Sequence, residues 1–355
     1  MDAPKLRFKE FNENWILTSL ESIASNITAG KSIISKKKPQ LYPILGSTGV
    51  IGYTDSYKYD GNYILIARVG ANAGKVSTFN GKCNITDNTI FFECNNSQID
   101  FLKELLIKQD LSKKSFGSGQ PLVKASELKT LKITIPSLEE QYKIGGLFKK
   151  LNLKIQYQQE KINMLIEQKK GFMQKIFSQE IRFKDENRRE FSQWDLMDLG
   201  NVVKVNSGRD YKHLNIGDIP VYGTGGYMLG VNESLSDEDA IGIGRKGTIN
   251  QPQKLLAPFW TVDTLFYCTS KKYNDLDFIY ILFQYINWGK YDESTGVPSL
   301  SKKTIEGISC NIPCYEEQKK IGLFFKKINE RILLESDKLI HLENQKKAFV
   351  QQMYI

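Results

Sequence analysis

Residues 133–152 read ITIPSLEEQYKIGGLFKKLN, and residues 310–329 read CNIPCYEEQKKIGLFFKKIN. Eight residues of the first stretch (Pro136, Glu139, Glu140, Gln141, Ile144, Gly145, Phe148 and Asn152) recur 177 residues later. So do Gln168-Lys169-Lys170, as Gln345-Lys346-Lys347, and Phe172, as Phe349. Upstream the repeat weakens to scattered matches. Trp15 and Leu20 correspond to Trp194 and Leu199, Gly46 and Gly49 to Gly223 and Gly226, Arg68-x-Gly70 to Arg245-x-Gly247, and Gly119-x-Pro121 to Gly296-x-Pro298. A period this long is no solenoid unit. It describes two domains, each followed by its own tail: residues 1–138 and 178–315 as globular domains, 139–177 and 316–355 as tails. The tails kept their sequence while the globular parts drifted, which fits one shared task for the tails and two different tasks for the domains.

The tails carry a helical pattern. Ile144, Phe148, Leu151, Ile155, Gln158, Ile162, Leu165, Lys169, Phe172 and Ile176 alternate in steps of four and three. The second tail does the same with Ile321, Phe325, Ile328, Ile332, Glu335, Leu339, Leu342, Lys346, Phe349 and Met353. That is the a/d seam of a coiled coil, which keeps one stripe of a helix facing a partner. Ser137-x-x-Glu140 reads as a capping box at the first helix start, with Cys314 in the corresponding place of the second. The polar seam positions, Gln158/Glu335 and Lys169/Lys346, either set register or face solvent. At 1.5 Å per residue each helix runs ~58 Å. The expected architecture is α+β: two globular domains in tandem repeat, separated by two long helices that pair as an antiparallel coiled coil.

In the globular parts, Tyr63–Val69, Thr89–Glu93, Ala240–Gly244 and Thr264–Tyr267 read as strands, and Ile99–Asp110 and Leu276–Trp288 as helices. Polar, glycine-rich turns recur at Gly46–Gly49, Gly117–Gln120, Gly223–Gly226 and Ser294–Gly296. Such turns let a backbone approach a phosphate or base edge, and they also serve ordinary hairpins. Arg68 and Arg245 each lie two residues before a glycine at a strand end, placed to clamp a phosphate or guanine or to make a surface ion pair. The candidate DNA contacts are Arg68, Lys75, Thr48, Ser118 and Gln120 in the first domain. In the second they are Arg245, Lys246, Thr224 and Thr295.

The net charge is +9 and the pI about 9.0, the balance expected of a polyanion partner. The excess is uneven, at +6 for residues 1–138 and −3 for 178–315. Charge therefore favours DNA binding by the first domain and is mute for the second. No apolar run approaches a membrane span, and no signal-peptide core opens the chain, which points to the cytoplasm. The five scattered cysteines suggest no disulfide framework.

Catalytic signatures fail. Gly70–Lys75 is one residue short of a phosphate loop and is followed by Val76. Ala29-Gly30-Lys31-Ser32 has Ser25 where the first glycine belongs. The histidines are His213 and His341, the latter within a tail helix, and Cys310-x-x-x-Cys314 has no partner pair for zinc. No Asn-Pro-Pro run is present. No catalytic residue, metal site or cofactor is expected.

Two divergent domains, each followed by a long helix opening Pro-x-x-Glu-Glu-Gln (Pro136–Gln141, Pro313–Gln318), resemble the specificity subunits of Type I restriction–modification enzymes. The Leu6–Trp15 opening, echoed by Ile181–Trp194, is similar to that family too. The resemblance covers essentially the whole chain. It implies two target-recognition domains, each reading one half of a bipartite site in double-stranded DNA. It also implies helices that space the domains and dock two methyltransferase subunits, with restriction/translocase subunits joining. Methyl donor, ATP and magnesium would belong to those partners. Two other readings stay open: a coiled-coil interaction scaffold without DNA specificity, separated by salt-sensitive, sequence-dependent DNA binding, and a standalone DNA-modifying enzyme, separated by methyl transfer from the isolated chain.

Overall fold

The computed structural model describes residues 4–31, 41–95, 97–114 and 121–355. The chain divides into two compact units, Met1–Gln159 with Asp337–Ile355, and Glu160–Ser336. Both division points fall inside the long helices. Among the described residues no helix is long and apolar enough to cross a membrane.

The first unit runs β1 (Ile16–Ser19), α1 (Leu20–Ile23), β2 (Ala24–Ala29), β3 (Tyr42–Gly46), β4 (Gly49–Thr54), β5 (Tyr59–Ala67), β6 (Val76–Ile85), β7 (Thr89–Cys94), α2 (Ile99–Lys108), α3 (Ala125–Lys129) and β8 (Lys132–Ile135), into α4 (Leu138–Phe177). Six strands form one sheet in the order β2-β7-β5-β6-β3-β4, and β1 pairs with β8 in a separate antiparallel ribbon. The sheet is buried on both faces around β5, so period-two alternation divides its side chains between two clusters. Ile64, Ile66, Ile90 and Phe92 meet Phe101 and Leu105 of α2 in the main core. Tyr63, Leu65 and Phe91 turn the other way, toward Leu45, Cys83 and Ile85.

The second unit has β9 (Asp195–Asp198), α5 (Leu199–Val202), β10 (Val203–Ser207), β11 (Ile216–Gly223), β12 (Gly226–Val231), β13 (Ala240–Gly244), β14 (Gln253–Leu255), β15 (Trp260–Thr261), β16 (Leu265–Ser270), α6 (Leu276–Tyr285), α7 (Lys302–Glu306) and β17 (Ser309–Ile312), then α8 (Tyr315–Met353). Its sheets are β10-β16-β13-β14, β12-β11-β15 and β17-β9. The sequence repeat is thus a structural one. β3 pairs in parallel with β6 at Ile44↔Asn84 and Leu45↔Ile85, and β11 pairs in parallel with β15 at Val221↔Trp260 and Tyr222↔Thr261. The continuous β6 of the first unit is divided between β14 and β15 in the second. The helix expected over 276–288 ends at Tyr285, and a 3-10 turn, Trp288–Tyr291, follows.

Both long helices form, and they run antiparallel within each unit. In the second unit Phe172 meets Phe324 with centroids 5.2 Å apart, while Lys161 Nζ lies 2.9 Å from Glu335 Oε1. Advancing along α4 means retreating along α8. In the first unit the end of α8 reaches the start of α4, with Tyr354 and Phe148 centroids 5.6 Å apart. Of the predicted apolar seam, Ile144, Phe148, Leu151, Ile162, Ile176, Ile321, Phe325 and Met353 are buried. Ile155, Leu165, Ile328, Ile332, Leu339, Leu342 and Phe349 are half-buried. Phe172 is 38% exposed, and its neighbour Met173 takes the buried place at 8%. A one-residue drift of this kind is what 3.6 residues per turn produces against a strict heptad.

Candidate nucleic-acid interface

The repeated residues prove to be partners of one another. Arg7, from the segment that opens the chain, grips Glu140 of α4 with both arms of its guanidinium, Nε to Oε1 and Nη2 to Oε2, each at 2.8 Å. In the second copy Arg182 reaches Glu317 of α8 through Nε at 3.3 Å and Nη2 at 2.7 Å, and Trp194 Nε1 adds a third bond at 3.0 Å. The carboxylates are essentially buried, at 1% and 0% exposure. This planar two-bond pairing fits arginine and not lysine. It raises the pKa of each arginine, the hydrogen bond to the carboxylate being the main cause. Trp15 Nε1, the counterpart of Trp194, is buried without a hydrogen-bond partner.

The capping box expected at Ser137 is therefore corrected. Glu140 spends both carboxylate oxygens on Arg7, because a buried charge is held best by an opposite charge. The following glutamine ties the helix down a second time. Gln141 Oε1 accepts from Ser97 Oγ (2.6 Å) and Gln98 N (3.1 Å), and its Nε2 donates to Pro136 O. Gln318 repeats this with Asp275 N (2.9 Å) and Pro313 O. One turn on, Gly145 and Gly322 clear space for the start of the globular helix. A Cβ on Gly145 would fall 2.0 Å from Gln98 Oε1, and one on Gly322 would fall 2.5 Å from Asp275 Oδ1. Gln98 and Asp275 are the N-caps of α2 and α6. Arg, Glu, Gln and Gly thus form one latch per unit that fixes a long helix to its domain.

The polar seam positions also reach the domains. Lys346 Nζ and Asn152 Nδ2 both meet the fully buried Glu104 Oε1 of α2, at 3.0 and 2.9 Å. Lys169 Nζ bonds Gln284 of α6 at 2.7 Å, and burial lowers its pKa. Glu335 is paired with Lys161.

The predicted DNA contacts fall on strand ends and turns. Thr48 is exposed at the β3–β4 turn, and Thr224 is half-buried at the β11–β12 turn. Arg68 follows β5 and donates through Nη1 to Asp87 O, while Arg245 follows β13 and does the same to Asp263 O at 3.5 Å. The chain beyond each arginine is held alike: Gly70 N donates to Pro121 O and Gly247 N to Pro298 O. Lys75 is exposed in the turn between β5 and β6, and Thr295 is exposed before α7. Arg245 and Lys246 share a cleft of about 500 Å³ with Ser299 and Lys302. Ser118 and Gln120 lie outside the described residues. Among the described residues no group of three or more His, Cys, Asp or Glu is arranged to hold a metal ion.

Sequence reasoning missed the latch. Its signal was present, since Arg7 with Trp15 and Arg182 with Trp194 recur in step with the helix openings, but nothing local links an arginine to a glutamate over 130 residues downstream.

The model of the Type I restriction modification DNA specificity domain matches twice, at residues 11–168 and 192–344. The Type I restriction enzyme EcoprrI specificity subunit of Escherichia coli is 29% identical over 128 residues, 36% of this chain and 32% of that protein. The Type I restriction enzyme MjaVIII specificity subunit of Methanocaldococcus jannaschii is 31% identical over 162 residues, 43% of this chain and 38% of that one. The putative type I restriction enzyme MjaX specificity subunit of the same organism is 23% identical over 401 residues, covering 98% and 94% of the two chains. The matched stretch thus spans about a third of each of the first two relatives and nearly all of the third. In fold, the S subunit of a Type I restriction–modification system from M. genitalium superposes with a TM-score of 0.74 at 19% identity, covering 100% of this chain and 99% of that one. A chain from a structure described as showing complex assembly and conformational transition of the type I R-M system gives 0.52 at 12% identity, covering 97% and 98%.

Proposed function

We propose, because this chain belongs to the Type I restriction–modification DNA specificity family, that it directs a methyltransferase to a bipartite DNA site, each globular domain reading one half. The observation that carries this reading is the doubled family match combined with the doubled latch: two domains of one fold, each fixed to a helix by the same Arg, Glu, Gln and Gly. α4 and α8 act as the spacer between the half-sites and as the dock for two methyltransferase subunits, through which restriction/translocase subunits join. The chain itself performs no chemistry. Methyl donor, ATP and magnesium are bound by the partners, and the assembly works on chromosomal DNA in the cytoplasm. In functional terms residues 1–138 and 178–315 are the target-recognition domains, and 139–177 and 316–355 the helical dock.

Arg68 and Arg245 serve as phosphate or guanine clamps. Thr48, Lys75, Thr224, Lys246 and Thr295 line the DNA path, with Ser118 and Gln120 assigned to it on sequence alone. The test is domain exchange. Residues 1–138 are replaced by the corresponding segment of another specificity subunit, the chain is co-expressed with its methyltransferase subunit, and methylated bases are mapped. One half of the recognised sequence changes and the other stays. A change in both halves, or in neither, overturns the reading.

A further inference from the structure

The β3–β4 and β11–β12 hairpins offer an internal comparison. Their backbones agree closely around the turn. Gly46 pairs with Gly49, and Gly223 with Gly226. The register slips between Ile44 and Leu45 in one, and between Val221 and Tyr222 in the other, again 177 residues apart. Gly49 and Gly226 adopt φ of +105° and +109°, with open space where a Cβ would stand. The large side chains that follow, mostly apolar, are not in either core. Val50 and Ile51 are 50% and 48% exposed, and Tyr227 and Met228 are 66% and 48% exposed. Each hairpin ends its sheet, with β4 and β12 as outermost strands.

Same backbone and same exposure, but different side chains, is the inverse of the latch. A surface meeting one common partner twice needs the same chemistry twice, as Glu140/Glu317 and Gln141/Gln318 show for the helix attachment. A surface meeting two different half-sites needs different chemistry on the same frame. Val-Ile against Tyr-Met meets that second condition, whereas Arg68 and Arg245 are identical and suit the part of DNA that does not vary. A two-stranded ribbon fits the major groove, where apolar side chains distinguish bases through contacts such as the thymine methyl group.

We propose that these hairpins are base-reading ribbons, and that Val50–Ile51 and Tyr227–Met228 make the apolar contacts to base edges that distinguish one half-site from the other. The inference rests on the half-site reading above and names its specificity-determining residues.

The test uses the full chain with its methyltransferase subunits, after the parental site has been mapped. Binding to the parental duplex is competed with duplexes altered in the first or the second half-site, for the parent, Val50→Ser/Ile51→Ser, and Tyr227→Ser/Met228→Ser. Each variant loses discrimination in the half-site of its own domain by about tenfold or more, and keeps it in the other. A third variant, Val50→Tyr/Ile51→Met, carries the pair the second hairpin already tolerates. It shifts the preferred base within the first half-site without a fall in melting temperature. Unchanged discrimination in the two serine variants overturns the inference, as does an equal loss in both halves. Loss of methyltransferase association with DNA discrimination retained also overturns it, and makes the hairpins a protein dock. A parental complex with no bipartite preference is a separate result and overturns the half-site reading itself.

Discussion

Arg182 Nη2 lies 2.7 Å from Glu317 Oε2, although 135 residues separate them, and the carboxylate is fully buried. The contact joins the segment entering the second globular domain to the helix leaving it, and Arg7 with Glu140 makes the same closure in the first. Each domain is therefore shut at its base by a charge pair that water cannot replace.

Breaking that pair from the arginine side strands a buried charge. Arg182→Ala is expected to destabilise the second unit by about 3–5 kcal/mol. Arg182→Lys recovers only part of this, because an ammonium cannot reproduce the two-bond fork. Arg7→Ala has a similar effect on the first unit. Urea titration followed by near-ultraviolet circular dichroism measures each loss, and a change below 1 kcal/mol would show that Glu317 finds other support.

The helical glycines separate by position. Gly322→Ala brings a methyl group to 2.5 Å from Asp275 Oδ1 and 3.0 Å from Phe278 N. Overpacking of this kind costs about 1–3 kcal/mol. Gly146 and Gly171 have nothing within 4 Å of the corresponding point. Alanine there gains the roughly 0.8–1 kcal/mol of helix propensity that glycine forfeits. Opposite shifts in melting temperature are the expected outcome, and equal shifts would contradict the close packing of α8 on the start of α6.

Arg68 and Arg245 are predicted to act on DNA affinity across all sequences if they hold phosphates. Each Arg→Ala change then lowers the slope of log K against log salt by about 0.9 and leaves the half-site preference intact. A loss confined to one base position would instead identify a guanine contact. No change in affinity, slope or preference removes them from the DNA path.

The spacer role of the helices predicts a geometric result. Seven residues inserted after Gln158 and seven after Glu335 return the seam to the same face. They add ~10 Å at 1.5 Å per residue, about 3 base pairs at ~3.4 Å each. Methylation of a library with fixed half-sites and variable spacing should show a longer preferred gap. An unchanged gap in a folded, active variant would assign the spacing to something other than α4 and α8.

Much of the architecture was legible because its signals are local or periodic. The four-three seam from Ile144 to Ile176 and from Ile321 to Met353 declares helices whatever surrounds them, and the 177-residue recurrence declares two copies of one fold. The apolar run at Tyr63–Val69 declares a strand. The tertiary structure alone decided what these elements do to one another. Glu140 reads as a cap in its own neighbourhood and becomes the partner of Arg7 only when the chain returns. Lys346 and Lys169 read as seam positions that either set register or face solvent, and they reach Glu104 and Gln284 on the domains. Met173 displaces Phe172 because a real helix drifts against an ideal heptad. For the charged residues the physical reason is shared. Periodicity fixes which face of an element is apolar, whereas the partner of a buried charge is chosen by proximity in space, which spacing along the chain does not encode.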